Sequence, residues 1–172
     1  RDSNMSDLSV ANKISLAFSG KYNQRHAEHY LAKHQASLAS KLSHWRDVQV
    51  ARRALQVACD PEVVLDLPCG AGRFWPMLAE QNSRMIIGAD NSENMIAVGM
   101  QAQPVDVVNR VQPLCTSAFN IDLPDGAVDS VFCMRLMHHI GNPAHRMQML
   151  HEFHRVTRDT VILSLWVDGN YK

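Results

Sequence analysis

From Asp60 onward, short aliphatic runs alternate with stretches of helical texture. The runs are Val63-Val64-Leu65, Met85-Ile86-Ile87, Val111 to Leu114, Val131-Phe132 and Val161-Ile162-Leu163. Clusters of this kind predict strands, and their alternation with helical segments predicts βαβ units and a parallel sheet. A helix is expected over Phe74 to Gln81 after a glycine pair. A second follows Ser92, its N-cap, through Met100, and a third runs from Asn142-Pro143 to about Val156, with Asn as cap and Pro at the first helical position. In the third, Met147, Leu150 and Phe153 form the stripe expected to face the sheet. The pattern predicts an α/β fold: a three-layer α/β/α domain with a mostly parallel sheet.

Residues 1–58 have a different texture, with no proline and one glycine, Gly20. Asn23 to Ala58 is rich in Ala, Leu, His, Gln and Lys, which predicts two helices. Tyr30, Leu31, His34, Leu38 and Leu42 recur at three- and four-residue steps and are expected to pack one face on the rest of the chain. Residues 1–58 are therefore read as a helical cap on an α/β body of residues 59–172, the two forming one structural unit. There is no internal repeat or low-complexity tract.

Composition narrows the class. At 172 residues, with 46% apolar, 20% charged and 6% aromatic residues, the chain is an ordinary globular domain and excludes a disordered, collagen-like or disulfide-stapled protein. Lys plus Arg and Asp plus Glu are 17 each, so no bulk field favours nucleic acid. The charge is unevenly placed: residues 1–58 hold nine basic against four acidic side chains, residues 59–172 eight against thirteen. A basic arm docking on an acidic body and a solvated helix face both account for that split. The four cysteines form no CxxC pair and no secretory leader opens the sequence, which points to reduced thiols and a cytoplasmic location. No apolar run approaches the roughly 20 residues needed to span a bilayer.

The sharpest chemical feature is Val63-Val64-Leu65-Asp66-Leu67-Pro68-Cys69-Gly70-Ala71-Gly72-Arg73-Phe74, a buried strand ending in a carboxylate and entering a Gly-x-Gly turn before a helix. Glycine there lets the backbone turn tightly and lets a ligand approach the main chain. Asp90 stands eighteen residues after Gly72, at the end of the second strand, where such folds place the carboxylate that grips ribose hydroxyls. A nucleoside-containing ligand is implied. The third glycine of a dinucleotide fingerprint is replaced by Trp75, and no Gly-Lys-Ser/Thr phosphate loop is present, which disfavours an NAD-linked oxidoreductase. Asp66 suits a cationic partner, an amino group or a sulfonium.

Over about residues 60 to 166 the chain resembles the class I S-adenosylmethionine-dependent methyltransferases, Rossmann-like enzymes, in their small-molecule type. Asp66-x-x-x-Gly70-x-Gly72 is similar to their first motif, Gly88-Ala89-Asp90-Asn91-Ser92-x-x-Met95 to the second, and Ser117 to Asp129 to the third. Val131 to Ile140, with Leu136-Met137-His138-His139-Ile140, resembles the fourth strand and the Leu-His-His-Ile that follows it. The resemblance implies S-adenosylmethionine as cofactor and S-adenosylhomocysteine as product. By that resemblance Asp66, Pro68 and the Gly70 to Gly72 turn lie along the methionine part, and the main chain near Cys133 and Met134 accepts from its amino group. Asp90 holds the ribose, Asn91 and Met95 lie against the adenine, and Ala118 offers its amide to the base. Three departures stand out: Pro68 replaces the first glycine, Ser117 replaces an Asp that accepts from the adenine amino group, and Arg155 to Thr160 lacks a Pro-Gly-Gly turn. The family's fold also continues past strand five into a helix and an antiparallel strand pair, so the C-terminal strands are expected to be missing, either because the chain stops short or because a partner or second copy covers the open sheet edge.

Methyl transfer needs mainly proximity, alignment and a dry pocket, so catalytic residues leave little trace. His138 and His139, just past strand four, are the candidate bases, against a role packing or capping that loop. Tyr22 and Tyr30, with Arg25, resemble a tyrosine-bearing lid helix, against simple helix packing. His26-x-x-His29 and His151-x-x-His154 have helical spacing but no third ligand, so no metal is expected. The nine methionines fill core or line a pliable pocket. The expected acceptor is a small molecule, with nucleic acid disfavoured; the alternative from another class is a noncatalytic methyltransferase-like module that works through a protein partner.

Overall fold

The computed structural model describes residues 38–165, with side chains from residue 41. Tyr22, Tyr30 and the first expected helix lie outside the described residues. Five strands, β1 (Val63–Asp66), β2 (Met85–Asp90), β3 (Val111–Cys115), β4 (Val128–Cys133) and β5 (Thr157–Leu163), form one sheet in the order β3-β2-β1-β4-β5. Every pairing is parallel. The order reverses between β1 and β4, and it is outside the carboxyl ends of the strands at such a reversal that open α/β sheets hold their ligands.

Consecutive residues of the central strands feed opposite faces. Leu65, Ile87 and Val131 join Met149, Phe153 and Val156 in one core, while Val64, Ile86 and Phe132 join Leu55, Trp75, Ile96 and Val111 in the other. A sheet covered on both faces explains why its strands read as continuous apolar runs rather than alternating ones. Pro113 is tolerated within β3 because that strand lies at the sheet edge.

The helices are α1 (Leu38–Val57), α2 (Trp75–Leu78), α3 (Glu93–Ala102), α4 (Val105–Val108) and α5 (Pro143–Val156). Ser92 Oγ accepts from Met95 N at the start of α3, and Asn142 Oδ1 accepts from Ala144 N at the start of α5, as the sequence predicts.

Four expectations are corrected. Leu42 is exposed and α1 buries Ala51 and Leu55 instead; at about 100° per residue, Leu42 and Ala51 stand on opposite sides of the helix. Met147 is likewise exposed, and α5 faces the sheet with Met149, Phe153 and Val156. The helix expected to reach Gln81 stops after one turn at Leu78, where Glu80 N donates to Met77 O, three rather than four residues back, and arginines take the unpaired carbonyls beyond its end: Arg84 binds Leu78 O, and Arg110 binds Ala79 O and Gln81 O. Finally, the strand expected at Val161-Ile162-Leu163 begins earlier, at Thr157, and no turn separates α5 from β5. Thr157 caps the helix and opens the strand, whose polar start is held by Arg158 to Asp129 and by Thr160 Oγ1 to Ser130 Oγ at 3.0 Å.

Candidate functional site

Asp66 is the last residue of β1, and the strand's burial carries its carboxylate inside with it, to 1% exposure. Neither carboxylate oxygen has a hydrogen-bond partner, and the buried Trp75 Nε1 has none either. Burial, and secondarily the Asp90 charge, push the Asp66 carboxyl well above the usual carboxylate range; the facing Trp75 indole N–H eases this without closing a hydrogen bond. A buried acid left in this state is a strong signal of a missing donor or cation.

Beyond Asp66 the chain passes a cis Leu67-Pro68 peptide and turns through Gly70 at φ +54 and Gly72 at φ +69, the left-handed region that favours glycine. Asp90, at the end of β2, fixes this turn: its Oδ2 accepts from Gly70 N and its Oδ1 from Ser92 N, both at 3.0 Å. One carboxylate thus joins the glycine turn to the start of α3, and with the Asn91 amide as a third donor it still keeps acceptor capacity. Met95 is buried beside it, its Cε 3.6 Å from where a Gly70 side chain would begin, while Asn91 is exposed.

Trp75, in the place of the third glycine, has a structural explanation. Its fully buried indole fills space left by three glycines: a Cβ at Gly72 would overlap the ring, one at Gly88 would lie 2.6 Å from Cζ2, and one at Gly99 3.0 Å from Cη2. The missing side chains of β2 and α3 make room for the ring, so the turn packs tightly on the sheet without the third glycine.

Opposite the turn, the Cys133 carbonyl at the end of β4 accepts from Ser164 N at 3.1 Å. Cys133 and Cys69 are buried, and burial together with the Asp66 carboxylate pushes both thiols up, so neither is a thiolate at pH 7. Ser117 Oγ accepts from Phe119 N at 3.2 Å within its own turn, which leaves its O–H and a second lone pair; Ala118 is half-buried next to it. His138 and His139 are exposed on a short 3-10 turn, Met137–His139, with ring centroids 4.0 Å apart. Partial burial, then His139 and Arg135, lower the His138 pKa. His151 and His154 are both exposed on α5.

Three charged residues at this end of the sheet escaped the sequence reading. Asp47 of α1 meets both Arg73, which follows the glycine turn, and Arg135, which lies beyond β4. The partners are 26 and 88 residues away in sequence, and no local pattern announces them.

A family model for a methyltransferase domain matches residues 64–160, from β1 into β5. The chain belongs to the methyltransferase domain family. Among curated proteins, the tRNA U34 carboxymethyltransferase of Pseudoalteromonas atlantica is 30% identical over 129 residues, 73% of this chain. The chain spans only 38% of that relative's length. Among solved structures, a Methanococcus maripaludis protein assigned as an S-adenosyl-L-methionine-dependent methyltransferase superposes with a TM-score of 0.66 at 15% identity, covering 88% of this chain and 66% of that one. A Nostoc punctiforme protein assigned as an O-methyltransferase gives 0.57 at 23% identity, covering 67% and 36%. These likenesses establish the fold of the methyltransferase domain.

The family cofactor is S-adenosylmethionine, and the residues present fit it. The unpartnered Asp66 oxygens lack a cationic or N–H partner, which an amino acid ammonium would supply, and Asp90, where the resemblance expects a ribose, retains acceptor capacity. No helix among the described residues of the methyltransferase domain is long and apolar enough to cross a membrane.

Proposed function

We propose that this methyltransferase domain binds S-adenosylmethionine in the crevice between the carboxyl ends of β1 and β4 and transfers its methyl group to an acceptor. The observation that carries the reading is the buried Asp66 carboxylate without a partner, next to a glycine turn tethered by Asp90. When bound, the cofactor supplies an electrophilic methyl group on a sulfonium. Asp66 meets the cationic methionine end, Asp90 takes the ribose hydroxyls, Met95 and the exposed Asn91 flank the base, and the Ala118 amide reads its edge, with the uncharged Ser117 hydroxyl a weaker acceptor than a carboxylate. The main-chain acceptors at this strand end are Met134 and the Cys133 carbonyl, which accepts from Ser164 N and keeps a second lone pair. His138, just past the end of β4, with its pKa lowered by partial burial and by His139 and Arg135, is the proposed proton acceptor for an O–H or N–H substrate.

The proposed acceptor is a small molecule, supported by the zero net charge. A second reading, an RNA acceptor, is favoured by the relative that acts on tRNA. Parallel incubation of labelled S-adenosylmethionine with a small-molecule panel and with bulk tRNA separates the two. The cofactor reading itself is tested by calorimetric titration of the full chain. Saturable binding of S-adenosylmethionine and S-adenosylhomocysteine is expected, weakened about tenfold or more by Asp90→Ala, equivalent to about 1.4 kcal/mol. A folded chain that binds neither, or an Asp90→Ala chain that binds like wild type, overturns it.

A further inference from the structure

A single carboxylate oxygen spans the proposed cofactor crevice. Asp47 Oδ2, on α1, accepts from Arg73 Nη2 at 2.9 Å and from Arg135 Nη2 at 2.8 Å. Arg73 directly follows the Gly70 to Gly72 turn that leaves β1, and Arg135 lies two residues past the end of β4. These two loops flank the point where the strand order reverses, so α1 ties the two walls of the crevice to each other through one side chain.

Both arms are held in more than one way. Arg73 Nε donates to His44 Nδ1 at 2.9 Å, and its guanidinium lies 5.3 Å from the Phe74 ring centre, which in turn packs edge-on to Phe132 of β4. Arg135 sits at φ +61, a conformation a non-glycine residue rarely adopts, with its amide donating to Ser164 Oγ at 2.6 Å. A residue persists there when its surroundings fix it from several sides. The carboxylate also offsets a repulsion: two guanidinium nitrogens within 3 Å of one oxygen lie less than ~6 Å apart, and without the negative charge between them the loops are driven away from each other.

We propose that Asp47 is a positioning residue for the cofactor: its charge holds the β1 and β4 loops at the separation the crevice needs, and so makes α1 part of the binding site without touching the ligand. The proposal rests on the site reading above. The test is calorimetric titration of the full chain with S-adenosylmethionine for wild type, Asp47→Asn, Arg135→Gln and the double variant, with Asp90→Ala as the control for the site. Melting midpoints and hydrogen exchange are measured on the same samples. Asp47→Asn is expected to weaken binding at least fivefold, and the double variant to bind no more weakly than Asp47→Asn, because the two changes break one unit. Residues 69–73 and 134–136 are expected to lose exchange protection together. Arg135→Gln, which removes only one arm, gives the second reading should Asp47→Asn fold poorly, and is expected to weaken binding less, about twofold to fivefold, with protection lost chiefly at 134–136. Wild-type affinity in Asp47→Asn while Asp90→Ala loses it, or additive losses in the double variant, overturns the proposal alone. A wild-type chain that does not bind the cofactor overturns the site reading and this proposal with it.

Discussion

Gly99 sits inside α3, where ordinary helix propensity says that alanine is better by about 1 kcal/mol. The packing says the reverse. A Cβ at this position would lie 2.9 Å from the Ala71 carbonyl carbon, 3.0 Å from Trp75 Cη2 and 3.1 Å from Gly72 N. Two of these neighbours are backbone of the glycine turn and the third is a fully buried ring, so none is a flexible side-chain end that swings aside. Overpacking of this kind costs about 1–3 kcal/mol. Taking about 2 kcal/mol and subtracting the propensity gain leaves Gly99→Ala about 1 kcal/mol less stable, a swing of about 2 kcal/mol from the propensity-only result. For a chain of this size that corresponds to a melting midpoint about 2–4 °C lower. Urea titration and thermal melting followed by circular dichroism read the effect, and calorimetry on the same samples is expected to show several-fold weaker S-adenosylmethionine binding, since the turn is what shifts. A Gly99→Ala chain that melts higher than wild type with unchanged affinity would falsify the account of the glycines as room for Trp75 and the turn.

Two further outcomes are expected. Asp66 has a folded pKa well above its unfolded value, so the folded chain binds the extra proton and stability falls as pH rises from the unfolded carboxylate pKa toward the folded one. Asp66→Asn is expected to flatten that decline in a pH series of melts of the ligand-free chain while weakening S-adenosylmethionine binding; an unchanged pH slope refutes the assignment. Asn142→Ala removes the side-chain acceptor for Ala144 N at the start of α5, for an expected loss of about 1 kcal/mol in urea unfolding with cofactor affinity unaltered, whereas Asn142→Asp is expected to retain most of the stability.

Much of the architecture is legible from local rules. The five aliphatic runs are strands; in β1, β2 and β4, buried on both faces, no polar alternation obscures them, and the caps at Ser92 and Asn142 are visible because a cap is a contact between residues two or three apart. The Asp66, Gly70, Gly72 and Asp90 pattern on which the proposed cofactor site rests is legible for the same reason: a strand end, a turn and the next strand end lie close along the chain.

What the sequence leaves undecided depends on contacts between distant segments. Met147 and Met149 are equivalent by composition, and only the position of the sheet selects Met149 for burial. β5 begins with four polar residues, and only pairing with β4 makes them a strand. Trp75 looks like a missing glycine until Gly88 and Gly99, from β2 and α3, are seen to leave space for its ring. Asp47 meets Arg73 and Arg135 because the strand order reverses between β1 and β4 and brings their loops together beneath α1. The sequence by itself determines the core of each strand, the starts of the capped helices, their order and the motif that resembles the family's cofactor site, all set by short-range geometry. Which faces are buried, which carboxylate lacks a partner and which charge joins the two walls of the site are decided only when the sheet brings residues far apart in the chain within hydrogen-bonding distance.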